Sequence, residues 1–197
     1  MKKLFLDGDY NVQIRRQLAV CLEKGQIVML PTDTIYGLSC RADNTRAISK
    51  IFAIKRRDHN KPLLVLVSSL SMAKNFCHIN LKQQEVLKQV WSKVRPTTVL
   101  LKHRQLLPAN LTAGSEYLAV RLPKSIFLRK MIRAIGVPLV STSANISGEN
   151  ILDATEAINT FKSGPKPDIV VYGGRNSSRA SKLISLDVKG KIQILRK

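Results

Sequence analysis

A twisted, mixed α/β sheet with helices packed on it is the fold class this sequence predicts, as a single domain over residues 1–197. Three observations predict it. Short apolar runs of strand length interleave with segments of helical period, and their alternation is not strict, so the sheet is expected to be mixed. No repeat, low-complexity linker or composition shift divides the 197 residues, a length that suits one domain. A hydrophobic share of 44% is enough to fill a core of that size.

Asp9 is placed to cap a helix over 10–24, with Ile14, Leu18, Cys21 and Leu22 on one face and Gly25 as its stop. Residues 26–30 read as a buried strand ended by Pro31, and Cys40 falls in a strand-like segment. Asp43 or Asn44 caps a second helix whose stripe is Ala47, Ile48, Ile51 and Phe52 and which runs into Lys55-Arg56-Arg57. Residues 63–67 form a strand fenced by Pro62 and Ser68. A helix over 81–93 offers Leu81, Val86, Leu87, Val90 and Trp91 as core contacts. Strands follow at 97–102 and 117–121, then a helix from the Ser125 cap to Ile135, stopped by Gly136. A short strand at 138–140 empties into Ser141-Thr142-Ser143-Ala144-Asn145. Asp153 caps a helix through Phe161, 164–167 is a turn, and 169–172, 183–186 and 192–195 are strand-like.

Charge is unevenly spread. The formal net is +20. Residues 44–148 carry 18 Lys/Arg against three Asp/Glu, a local excess of +15, whereas 1–43 and 149–197 carry +1 and +4. Such a region implies a polyanion as partner, nucleotide phosphates or nucleic acid, unless it is only a solubilising surface. No apolar run reaches the roughly 20 residues that cross a bilayer, and the N-terminal Lys2-Lys3 segment turns acidic at Asp7 before a signal-peptide core develops, so a cytoplasmic protein without a membrane partner is expected. Three scattered cysteines without a C-x-x-C argue against disulfides or zinc, and Cys21 and Cys40 read as small core residues.

Motif absences narrow the chemistry. There is no Walker loop, G-x-G-x-x-G, G-x-S-x-G or H-E-x-x-H, and His59, His78 and His103 are isolated. Three segments stand out instead. Pro31-Thr32-Asp33-Thr34-Ile35-Tyr36-Gly37-Leu38 follows a strand and gathers hydroxyls and a carboxylate where α/β sheets bind ligands. Lys55-Arg56-Arg57 with Lys61 puts four cations within seven residues, which repel one another unless an anion sits among them. Ser141–Gly148 again follows a strand and offers hydroxyls, an amide and backbone N–H groups to phosphate or ribose. Together they read as a pocket for a phosphorylated ligand.

In this order the segments resemble the YrdC/TsaC family. Thr32-Asp33-Thr34 with Tyr36-Gly37-Leu38 resembles its first signature, Lys55-x-Arg57 its K-x-R motif, Ala119-Val120-Arg121-Leu122-Pro123 its strand ending in Arg, and Ser141–Gly148 its S-x-S-A-N-x-S-G loop. Ser181-x-Leu183-Ile184 and Ile194-Leu195-Arg196 match more loosely. The likeness covers about 10–197, the short form of the family, and implies a YrdC-like fold enclosing a positively charged cavity. It also implies a threonylcarbamoyl-AMP synthase, a nucleotidyltransferase that joins L-threonine, bicarbonate (or CO2) and ATP, with Mg²⁺, and releases pyrophosphate. Other proteins then pass the product's acyl group to the tRNA adenine next to the anticodon. Carried over by position, Lys55, Arg57, Lys61, Ser141, Ser143, Asn145 and Arg196 bind ATP, with Lys55 and Arg57 catalytic. Thr32, Thr34, Arg121 and Ser181 bind threonine. The chain departs from the family pattern at Asp58, where a Pro is usual and where a carboxylate can pair with a neighbouring Arg. It departs again at Trp91–Thr98, which replaces W-P-G-P-x-T, and in lacking a His near the end of the strand at 63–67. The absence of a nucleophile–base signature agrees with a reaction in which substrate atoms attack one another. Two alternatives compete: a non-catalytic tRNA- or double-stranded-RNA-binding or ribosome-assembly protein using the basic centre, and an adenylating enzyme with another acceptor.

Overall fold

The hydrophobic pattern resolves into ten strands and seven helices in the computed structural model, which describes residues 1–6, 11–150, 154–161, 164–173 and 180–197. In chain order these are β1 (Lys2–Phe5), α1 (Val12–Glu23), β2 (Val28–Leu30), β3 (Gly37–Arg41), α2 (Thr45–Lys55), β4 (Leu64–Leu66), α3 (Leu70–Phe76), α4 (Leu81–Ser92), β5 (Thr97–Lys102), α5 (Ala109–Thr112), β6 (Tyr117–Arg121), α6 (Ile126–Ile135), β7 (Leu139–Ser143), α7 (Ala154–Thr160), β8 (Ile169–Tyr172), β9 (Lys182–Leu186) and β10 (Ile192–Arg196). The strands form one sheet in the order β1-β8-β2-β3-β7-β4-β6-β5-β9-β10. It is mixed: β4/β6 and β5/β9 are parallel, whereas β3/β7, β4/β7 and β5/β6 are antiparallel. The expected fold class stands.

Period-two alternation sorts the strand residues onto two faces. Leu38, Cys40, Val65, Val99, Val120 and Val140 point to one face and pack against Ile48, Ile51 and Phe52 of α2 and Leu87 of α4. Val28, Leu30, Leu66 and Leu139 point to the other and meet Leu18 and Leu22 of α1 with Phe127, Leu128, Met131 and Ile132 of α6. Each such side chain contributes about 1.5–3 kcal/mol on burial. The second face also carries a row that crosses four strands, Ser141–Leu64–Ala119–Leu100, in register. The helix pair α1/α6 covers one end of this face, and the row belongs to the part that becomes a cavity floor.

Local signals set the ends. Asn44 Oδ1 accepts from Ala47 N and starts α2, and Asn80 with Gln83 forms a capping box on α4. Gly136, at φ 72°, ends α6 as expected. The α1 cap is Asn11, whose side chain accepts from Ile14 N; Asp9, expected there, lies outside the described residues, as does Asp153. Strand β7 runs on through Ser143 where the sequence suggested an end at 140. Strand β3 supplies ladder partners through Ser143 and β4 through Ser141, so polar residues are held in a strand. Leu81 opens α4 at 77% exposure and is no core contact. Strand β1 and the short α3 and α5 were not anticipated. Cys40 is fully buried, and burial raises its thiol pKa strongly, consistent with an inert core residue. No helix among the described residues is long and apolar enough to cross a membrane.

Candidate functional site

Above the uncovered part of the second face lies a cavity of about 650 Å³, a size suited to a nucleotide-scale ligand. Its floor contains the Ser141–Leu64–Ala119–Leu100 row. Ser143 lies one step beyond the row along β7, opposite Gly37. Arg121 lies one step beyond it in the other direction along β6, opposite Thr98. The two ends of the cavity thus differ in chemistry.

The β2–β3 loop folds over the floor. Thr32 Oγ1 donates to Ile35 O (2.7 Å) and receives Thr34 N–H (3.1 Å). Its one proton being used, the 2.9 Å contact between the Thr32 and Thr34 hydroxyls must be a bond donated by Thr34. Thr32 is saturated and holds the turn. Thr34 accepts from Arg121 Nη1 at 3.1 Å and retains acceptor capacity for a ligand. Arg121, 3% exposed, also faces Asp33 through Nη2–Oδ1 at 3.3 Å, and its Nε has no hydrogen-bond partner. Burial lowers the Arg121 pKa, Asp33 opposes that shift, and Arg196 adds to it. Beside it, the buried Thr98 and Ser181 hydroxyls share a bond of 2.8 Å. Arg196 donates to Ser181 O from Nη2 (2.8 Å) and Nε (3.3 Å).

At the other end, α2 stops because Arg56 adopts the left-handed conformation, φ 48°. The next residue, Arg57, donates from Nε to Lys61 O (3.2 Å) and from Nη2 to Pro62 O (3.0 Å) while lining the cavity. Neutral carbonyls take its hydrogen bonds and it has no ion-pair partner among the described residues, although the Asp58 carboxylate is close enough to offset part of the burial that lowers its pKa. Asp58 makes no ion pair among the described residues; its Oδ1 accepts from Asn60 N at 2.9 Å and shapes the loop. The expected blunting of an arginine by a direct pair is thus absent. Lys61 is exposed and does not line the cavity.

Lys55 departs most from expectation. It is 1% exposed and is not a lining residue. Its Nζ donates to Ser143 O (2.6 Å), Asn145 O (2.9 Å) and Asn145 Oδ1 (2.7 Å), three close acceptors for three N–H groups, with Ser143 Oγ farther off at 3.5 Å. Burial, then the neighbouring Arg57, pushes its pKa from 10.5 down to about 7. The loop it holds is further fixed by Ser143 Oγ donating to Asn145 Oδ1 (2.7 Å), Asn145 Nδ2 donating to Glu149 O (2.6 Å) and Ala144 N donating to Tyr36 O (2.9 Å). Lys55 therefore acts through the loop, and Ser141, Ser143 and Asn145 present the loop to the cavity.

The structure thus brings Thr32, Thr34, Arg57, Arg121, Ser141, Ser143, Asn145, Ser181 and Arg196 to one cavity. The sequence pattern assigns no role to Asp33, Thr98 or Glu149, and to Gly37 only that of permitting a tight bend. Gly37 permits the close approach of β3 and β7: a Cβ there would lie 2.8 Å from Ser141 Oγ and 3.3 Å from Thr142 O. Gly37→Ala is expected to cost about 1–3 kcal/mol by overpacking, a fall in Tm of several degrees by calorimetry. An unchanged Tm would show that the floor yields freely.

Comparison with known proteins gives a consistent picture. The Sua5/YciO/YrdC family model, described as telomere recombination, matches residues 20–197. A Bos taurus threonylcarbamoyl-AMP synthase is 27% identical over 196 residues, covering 96% of this chain and 69% of that protein. A Pseudoalteromonas translucida threonylcarbamoyl-AMP synthase is 30% identical over 145 residues, covering 72% of this chain and 76% of that protein. The crystal structure of P. abyssi Sua5 complexed with L-threonine superposes with a TM-score of 0.83 at 25% identity, covering 99% of this chain and 56% of that one.

Proposed function

Because the chain belongs to the Sua5/YciO/YrdC family, we propose that it joins L-threonine, bicarbonate or CO2, and ATP into L-threonylcarbamoyl-AMP with release of pyrophosphate, as a cytoplasmic nucleotidyltransferase serving tRNA modification. The observation that carries the reading is the two-ended cavity. Arg57, lining the cavity beside the Ser143–Asn145 loop without an ion-pair partner among the described residues, suits a polyphosphate. A buried Arg121 that lines the cavity beside hydroxyl neighbours suits a small carboxylate.

Catalysis then consists of positioning and charge stabilisation. Threonine's amine adds to CO2 and loses a proton, giving a carbamate; a carbamate oxygen attacks the α-phosphorus as the bond to the bridging oxygen of pyrophosphate breaks. Arg121 holds the threonine carboxylate, and the remaining acceptor capacity of Thr34 meets its polar atoms. Arg57, Ser143 and Asn145 hold phosphate oxygens in line, and Lys55 keeps their loop in shape. Among the described residues no cluster of three or more His, Cys, Asp or Glu forms a metal cage. Glu149 lines the cavity and would be available to the water shell of an Mg²⁺ carried on the triphosphate. Bound there, the ion would supply neutralisation of phosphate charge.

Pyrophosphate release should require ATP, threonine and bicarbonate together, and release without threonine would point to another acceptor. Absence of release, with RNA affinity that falls steeply with salt, would favour the RNA-binding reading. Arg57→Ala should lower the rate roughly 30-fold, about 2 kcal/mol, by loss of charge-assisted contacts. Near-normal release would remove Arg57 from the phosphate end.

A further inference from the structure

The segment Thr32-Asp33-Thr34 contains one residue that the proposed reaction leaves without a task. The Asp33 side chain is 7% exposed: Oδ2 accepts Lys124 N–H at 2.9 Å, and Oδ1 is ion-paired with Arg121 Nη2 at 3.3 Å without forming a hydrogen bond. Lys124 follows the end of β6, and Asp33 sits in the β2–β3 loop, so this carboxylate links the loop to the strand that bears Arg121. The guanidinium meets the loop at two points, a hydrogen bond from Nη1 to Thr34 and an ion pair of Nη2 with Asp33. Its Nε is buried and without a partner, and the residue lines the cavity. A guanidinium otherwise has freedom about its terminal torsions, and two fixed contacts remove it.

We infer that Asp33 is a positioning residue for the amino-acid substrate: it orients Arg121 so that the unpartnered N–H groups present a fixed donor edge to a carboxylate in the cavity. The inference deepens the reading given above and rests on it. Asp33 does not line the cavity and makes no contact with the phosphate end. Its effect should therefore be confined to one substrate. An amide at this position has a single oxygen for two donors, so Asp33→Asn turns an NH2 group toward either the guanidinium or the Lys124 N–H. Asparagine is expected to be nearly as harmful as alanine.

The test is a cycle of Asp33→Ala, Asp33→Asn, Arg121→Ala and the Asp33→Ala/Arg121→Ala double variant, read by pyrophosphate release at varied threonine and varied ATP. Thermal melts check that each chain is folded. The double variant removes both buried charges and is the one least exposed to an unpaired charge. Asp33→Ala and Asp33→Asn should each raise the threonine KM at least tenfold and leave the ATP KM within twofold. In the Arg121→Ala background, adding Asp33→Ala should leave the threonine KM unchanged, because Asp33 has nothing left to orient. Threonine KM unchanged in both single variants, threonine and ATP KM rising together, or an additive effect in the double variant would each overturn the inference. A wild-type chain that releases no pyrophosphate with threonine and bicarbonate removes the functional reading and the inference with it. A wild-type chain that is active beside unaffected Asp33 variants removes only the inference.

Discussion

Lys55→Ala is expected to lower pyrophosphate release by at least about 100-fold, roughly 2.7 kcal/mol of transition-state stabilisation. The side chain is buried and does not line the cavity. Its loss strips donors from Ser143 O, Asn145 O and Asn145 Oδ1, which it meets at 2.6, 2.9 and 2.7 Å. Bonds to a charged donor contribute about 1.5–3 kcal/mol each, and the three converge on the loop that presents Ser143 and Asn145 to the cavity. The ATP KM should rise with the fall in rate, and the threonine KM should change little. Near-wild-type release by Lys55→Ala would show that the loop keeps its shape unaided.

The same group gives a pH dependence. With its pKa near 7, Lys55 should lose its proton as pH rises through neutrality. A neutral amine has two N–H groups for three acceptors, so activity should decline on the alkaline side. Stability runs the other way. The folded-state pKa lies below the ordinary 10.5, so the unfolded chain binds more protons between about pH 7 and 10.5. The destabilisation from burying this ammonium is full below pH 7 and is relieved as pH rises through that window. Rate and stability profiles moving in opposite directions above pH 7 would identify Lys55; parallel profiles would not.

Arg121→Ala is the second large effect, and it falls on the other substrate. The threonine KM should rise at least about 30-fold, from loss of charge-assisted bonds to the carboxylate. The variant also leaves Asp33 buried opposite a void, and breaking a buried pair from one side costs about 3–5 kcal/mol. Tm should therefore fall more than for Arg57→Ala, whose side chain meets only carbonyls. An unchanged threonine KM would remove Arg121 from the amino-acid end.

Much of this fold was readable in the chain. Strands at 97–102, 117–121 and 169–172 and the α6 helix have the bounds that alternation, caps and glycine stops suggested. Helices α3 and α5, of seven and four residues, are too short for helical period to declare itself. The extension of β7 through Ser143 was hidden because Ser-Thr-Ser reads as loop. Its polar side chains are tolerated in a strand because they face a cavity. Which segments converge was legible; which atoms meet was not. The charge of Lys55 suggests a ligand contact, yet Ile48, Ile51, Phe52 and Lys55 recur at helical spacing, a signal that it lies on the buried face of α2. Asp33 and Thr98 gain their roles across the sheet, through Lys124 and Ser181, and no local pattern marks such pairs.

Calorimetric binding of threonine, with and without a non-hydrolysable ATP analogue, tests the two-ended cavity most directly. Both ligands should occupy one chain together, with Arg57→Ala weakening only the analogue and Arg121→Ala only threonine. Mutual displacement of the two ligands, or loss of both in either variant, would contradict the account.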